Sequence, residues 1–60
     1  MQFNVGDTVR CVDAELTDGL LKKDRQYIVT EADARHVGLR GLVSRFRCDR
    51  FELVEAYRAK

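Results

Sequence analysis

Sixty residues fit one small domain, and a chain this short buries only about 60% of the surface its unfolded form exposes, so its core is thin. Apolar residues make up 45% of the chain and charged residues 35%, a balance that favours a folded domain over a disordered tail. No stretch approaches the ~20 apolar residues of a membrane span, and an enclosed substrate cavity of roughly 300–1,000 Å³ would consume the core, so any site is expected on the surface.

The start, Met1-Gln2-Phe3-Asn4, lacks the basic residues and apolar run of a signal peptide, and a soluble, cytoplasmic protein is expected. The first punctuation is Val5-Gly6-Asp7. In the following stretch, residues 8–13, Val9 and Cys11 alternate with Thr8 and Arg10, which predicts a half-buried strand. From Ala14 to Asp24 the alternation breaks. Thr17-Asp18-Gly19 supplies turn chemistry, and Leu20-Leu21 anchors a long loop ahead of the charged Lys22-Lys23-Asp24-Arg25.

Residues 26–32, dense in β-branched and aromatic side chains, predict a second strand with Tyr27 and Val29 on one face. Asp33-Ala34-Arg35 turns the chain into a third strand over 36–41, whose glycines permit a bulge or sharp bend. A fourth strand is predicted over 42–48, a tight turn at Asp49-Arg50, and a short fifth strand over 51–54. These elements predict an all-β fold, a small five-stranded barrel over 3–55 with a frayed C-terminal tail at 56–60. The expected core is Val9, Cys11, Leu20 or Leu21, Tyr27, Val29, Val37, Leu39, Phe46, Phe51 and Leu53.

Cys11 and Cys48 sit in apolar alternations, far apart and outside any metal-ligand spacing, so buried reduced thiols are expected and neither a metal site nor a cofactor is. Asp13, Glu15 and Asp18 do not match a calcium-binding loop. The lone His36 has no adjacent nucleophile and Ser44 lies outside a nucleophile elbow, so no catalytic residue is assigned and the chain is expected not to be an enzyme.

Taken together, Gly6-Asp7-Thr8-Val9-Arg10, Gly19-Leu20-Leu21-Lys22-Lys23, Tyr27-Ile28-Val29 and Arg50-Phe51-Glu52-Leu53-Val54 make the chain resemble short SH3-like barrel proteins commonly encoded by tailed bacteriophages. The resemblance covers nearly the whole chain. It implies an SH3-like barrel acting in a bacterial host, with Asp24 standing where the family's central glycine is usual and Phe46 where tryptophan is common. The start also resembles, more weakly, the KOW motif of barrels that touch RNA.

The net charge of +1 hides an asymmetry. Residues 1–21 carry Arg10 against Asp7, Asp13, Glu15 and Asp18, whereas residues 35–50 carry Arg35, Arg40, Arg45, Arg47 and Arg50 against Asp49 alone. Arginine's planar fork suits phosphate better than a lysine point charge does, and Arg45 and Arg47 at i, i+2 share one strand face. The expected binding residues are therefore Arg40, Arg45, Arg47 and Arg50, joined by Lys22 and Lys23 of the loop. Set against this is a solvated face whose arginines pair with the acidic side chains of the first strand. Tyr27 and Phe46 suit an aromatic groove or the core, and the core is favoured. The expected function is a non-enzymatic binding module, a phage accessory protein docking on a host or phage protein, as a monomer or small homo-oligomer. The alternative is a KOW-like nucleic-acid binder, its affinity falling steeply with salt. Neither a membrane nor a small-molecule substrate is expected.

Overall fold

In a computed structural model, residues 3–15 and 19–57 are described. Thr17 and Asp18, expected as turn residues, and the tail from 58 onward lie outside them. Five strands form, β1 (Thr8–Cys11), β2 (Gln26–Ala32), β3 (His36–Leu39), β4 (Arg45–Arg47) and β5 (Phe51–Glu55), all within the predicted stretches apart from the last residue of β5. Antiparallel pairing gives one sheet in the order β4-β3-β2-β1-β5. The two edge strands, β4 and β5, are consecutive in the chain and joined by the 3-10 turn Cys48–Arg50.

Alternation builds the core. Val9 and Cys11, Val29, Val37 and Leu39, and Phe46 point inward with Phe3, Leu21, Cys48 and Phe51. Phe51 sits at the centre of the aromatic packing, meeting Tyr27 and Phe46 edge-on at centroid distances of 6.4 Å each. Such contacts add about 0.5–1.5 kcal/mol beyond area burial. Both cysteines are free and buried, and burial pushes the Cys48 thiol above its ordinary range.

The buried core lacks Leu53 and Tyr27 of the expected set and adds Phe3 and Cys48. Leu53 is 49% exposed although it shares the parity of the buried Phe51 on the edge strand β5. Of the two leucines in the loop, Leu21 is the buried one, and Tyr27 is only partly covered. Phe3 joins the core from ahead of β1. The predicted strands also shorten at their ends. Val12 and Asp13 leave β1 to donate backbone N–H groups to the Arg50 carbonyl at 2.7 and 3.3 Å. Arg40 and Gly41 form a turn closed by the Leu42 N–H on the Leu39 carbonyl at 3.1 Å, with Gly41 at φ +83, the positive φ that the third turn position of a type II turn demands. That turn removes residues 42–44 from β4.

The one buried charged residue in the described chain is Asp7. Its carboxylate accepts the Asn4 N–H through Oδ2 and the Tyr57 N–H through Oδ1, both at 2.8 Å. The Tyr57 ring lies on Gly6, where a Cβ would stand 2.6 Å from Tyr57 Cγ. The chain beyond β5 is thus fastened as far as Tyr57. Among the described residues, no helix is long and apolar enough to cross a membrane.

Candidate functional site

The arginines singled out by sequence divide into two settings. In the register of β3 with β4, Gly38 lies opposite Arg45 and His36 opposite Arg47. Glu31 of β2 in turn lies opposite Gly38. Because Gly38 has no side chain, Glu31 reaches over it to Arg45: carboxylate and guanidinium meet at 2.6 Å, with Asp33 a second partner at 3.7 Å. A Cβ on Gly38 would approach the Glu31 Cβ to 3.2 Å. Arg47 pairs with Asp49 of the 3-10 turn at 3.1 Å.

Arg50 is more deeply engaged. Its guanidinium donates to the backbone carbonyls of Asp13 and Glu15 at 3.2 and 2.6 Å and stands 3.6 Å from the Asp13 carboxylate. Its own carbonyl holds Val12 and Asp13, so Arg50 clasps the start of the long loop from both ends. Among the described residues, only this arginine takes a partner from the acidic N-terminal segment. Arg45 and Arg47 find theirs in β2, the 33–35 turn and the 3-10 turn instead.

Asp33 organises that turn. It accepts the Arg35 and His36 backbone N–H groups at 2.8 and 2.7 Å, and these bonds hold its carboxyl below the usual carboxylate range. His36 Nδ1 stands 3.9 Å from the same carboxylate, an exposed contact. Among the described residues, the two displaced titratable groups, Asp33 and Cys48, are thus accounted for by a turn and by burial.

Arg40 and Lys22 meet in the other setting, a surface groove of about 640 Å³. Two turns shape it. Asp24 adopts φ +69, the left-handed conformation that glycine favours and that Asp tolerates better than most residues. The reversal closes Arg25 N–H onto the Lys22 carbonyl at 3.2 Å and brings Lys22 and Arg25 to the same rim. The Lys22 N–H also donates to the Tyr27 hydroxyl at 3.0 Å, and the Arg25 guanidinium carbon lies 5.9 Å from the Tyr27 ring centroid. Arg40, on the turn that follows β3, is fixed by its N–H on the Ile28 carbonyl at 2.9 Å.

Leu20, Ile28 and Leu42 supply aliphatic lining, and no carboxylate lines the groove among the described residues. Nor do Lys22, Arg25 or Arg40 make an ion pair among those residues. Lys23 is exposed beside this rim but is not among the lining residues. Arg25 is the groove cation that sequence reading missed. The signal was the charged run Lys22-Lys23-Asp24-Arg25, whose Asp tolerates the left-handed turn that brings residues 22 and 25 together.

No family model, curated protein or solved structure matches the chain.

Proposed function

We propose that the chain is a non-enzymatic binding module, an SH3-like barrel of the kind tailed bacteriophages encode, which docks on a host or phage protein inside the bacterial cell. The barrel reading is supported by five antiparallel strands whose two edges are joined through a 3-10 turn, and by Asp24 taking a left-handed conformation where the resembled family carries glycine. The observation that carries the function is the groove whose cations, Lys22, Arg25 and Arg40, lack carboxylate partners among the described residues. A cation without an internal counter-charge is the one a partner can claim at least cost.

Affinity capture from a nuclease-treated bacterial lysate tests this reading. The native chain and an Arg45→Ala/Arg47→Ala variant are expected to retain the same protein, and a Lys22→Glu/Arg40→Glu variant to lose it. Capture of nothing at all sinks the binding-module reading.

A second reading, the KOW-like nucleic-acid binder, draws on the exposure of Arg45 and Arg47, whose side chains are 60% and 70% accessible. Ion pairs that exposed contribute about 0–1 kcal/mol, so phosphate can displace their carboxylates. Its signature is oligonucleotide binding that falls steeply with salt and weakens in the Arg45→Ala/Arg47→Ala variant.

A further inference from the structure

We infer that the groove takes an acidic, extended polypeptide segment with a bulky apolar side chain set between its carboxylates, an inference that rests on the protein-docking reading. Two features select this occupant. The rim supplies charge from two turns: Lys22 and Arg25 stand on one turn and Arg40 on another, with no carboxylate lining the space between them among the described residues. The lining between them is aliphatic. Leu20 is 47% exposed, and Ile28 and Leu42 are partly so. Phosphate gains nothing from such a surface, whereas a leucine or phenylalanine side chain sheds water on it. The whole groove has room for a short stretch of chain at about 640 Å³.

A nucleic-acid strand fits less well. Sequence-tolerant binding of single strands draws on aromatic faces for base stacking. Among the described residues, Tyr27 is the one ring in the groove lining, and Arg25 lies over it at 5.9 Å while its hydroxyl accepts the Lys22 N–H. Asp24 carries the consequence one step further. By reversing the chain in a left-handed conformation, it fixes Lys22 and Arg25 before any partner arrives, so the rim is preorganised.

The test uses fluorescence anisotropy on the full chain with three labelled probes. One is a short peptide alternating Glu or Asp with Leu, one is a peptide of equal charge with Gly in place of Leu, and one is oligothymidylate. The Leu-containing peptide is expected to bind best, to weaken several-fold between about 50 and 200 mM salt, and to exceed the Gly peptide by roughly tenfold. Lys22→Glu/Arg40→Glu is expected to weaken it at least about tenfold. Leu20→Ser should weaken it several-fold, and Arg45→Ala/Arg47→Ala should leave it unchanged.

Amide-shift mapping on the native chain provides a readout that needs no variant: shifts are expected at Leu20, Ile28, Arg40 and Leu42. Equal binding of the two peptides, tighter binding of oligothymidylate, or shifts confined to β4 each overturn the inference. If the peptides fail while lysate capture still yields a nuclease-resistant protein, this assignment of the occupant falls and the binding-module reading stands. If capture fails as well, both fall.

Discussion

Arg40 and Arg45 flank the same β3–β4 connection and look equivalent in the sequence, yet their surroundings differ. Arg45 has Glu31 and Asp33 within ion-pair distance, reached across the vacant face of Gly38. Arg40 faces a groove shared with Lys22 and Arg25 and lined by no carboxylate among the described residues. The contrast teaches that a count of arginines measures charge, whereas sheet register decides which charges are already claimed. Arg45 and Arg47 are neutralised internally, whereas Lys22, Arg25 and Arg40 form a cationic rim without carboxylate partners among the described residues.

The neutralised face depends most on Gly38. A Gly38→Val side chain pushes against the Glu31 Cβ from a buried position, so it is expected to lower stability by about 1–3 kcal/mol in urea unfolding and to part Glu31 from Arg45. Unchanged stability would mean that Glu31 reaches Arg45 by another path. On the groove side the sign reverses. Asp24→Gly removes left-handed strain at φ +69 and is expected to raise stability by about 0.5–1 kcal/mol, since glycine's extra freedom in the unfolded chain offsets part of the gain. A loss instead would show that the Asp24 carboxylate holds the rim.

A sharper test of the contrast is to unmask the paired face. Glu31→Gln with Asp49→Asn should change stability by less than about 1 kcal/mol, because the pairs are exposed. It should nevertheless raise the affinity of the β4 face for anionic probes several-fold, read by salt-dependent anisotropy. No gain would mean that Asp33, which still faces Arg45, keeps it paired, or that something other than pairing silences Arg45 and Arg47.

The smallest expected effect is in pH. The folded Asp33 carboxyl is held below its unfolded value of about 3.9. Its contribution to stability is therefore present above that pH and is lost as pH falls through the folded value. Thermal unfolding followed from neutral into acid should show this loss, and Asp33→Asn should flatten it; an unaltered acid profile in the variant would remove Asp33 as its source.

Much of the architecture was legible because alternation is a local signal. Residues 26–32 read as a strand and form β2 with those bounds, and Val9, Cys11, Val37, Leu39 and Phe46 are buried as their parity requires. Errors arose where neighbours in space decide. Leu53 has the same parity as Phe51 on β5, yet Phe51 is buried and Leu53 is exposed, a difference that cannot be read from FELVE alone. Leu42 to Ser44 continue an apolar pattern that the Gly41 turn breaks. Of the candidate contacts, Lys22 and Arg40 converge on the groove, Arg45 and Arg47 are paired at the surface, and Arg50 is bound to the loop backbone. That division depends on pairing partners distant in sequence, Glu31 for Arg45 and Glu15 for Arg50, which composition and spacing do not encode.

One carboxylate, that of Asp7, holds the backbone at both position 4 and position 57. The fold is therefore a nearly closed excursion of chain whose entrance and exit lie side by side. A domain with that geometry can be spliced into a surface loop of a carrier protein, or its ends joined and new ones opened elsewhere, without prying apart the sheet. It also means that a dye and a quencher attached near positions 4 and 57 would report unfolding by separating, with the Asp7 clasp as the distance that is lost.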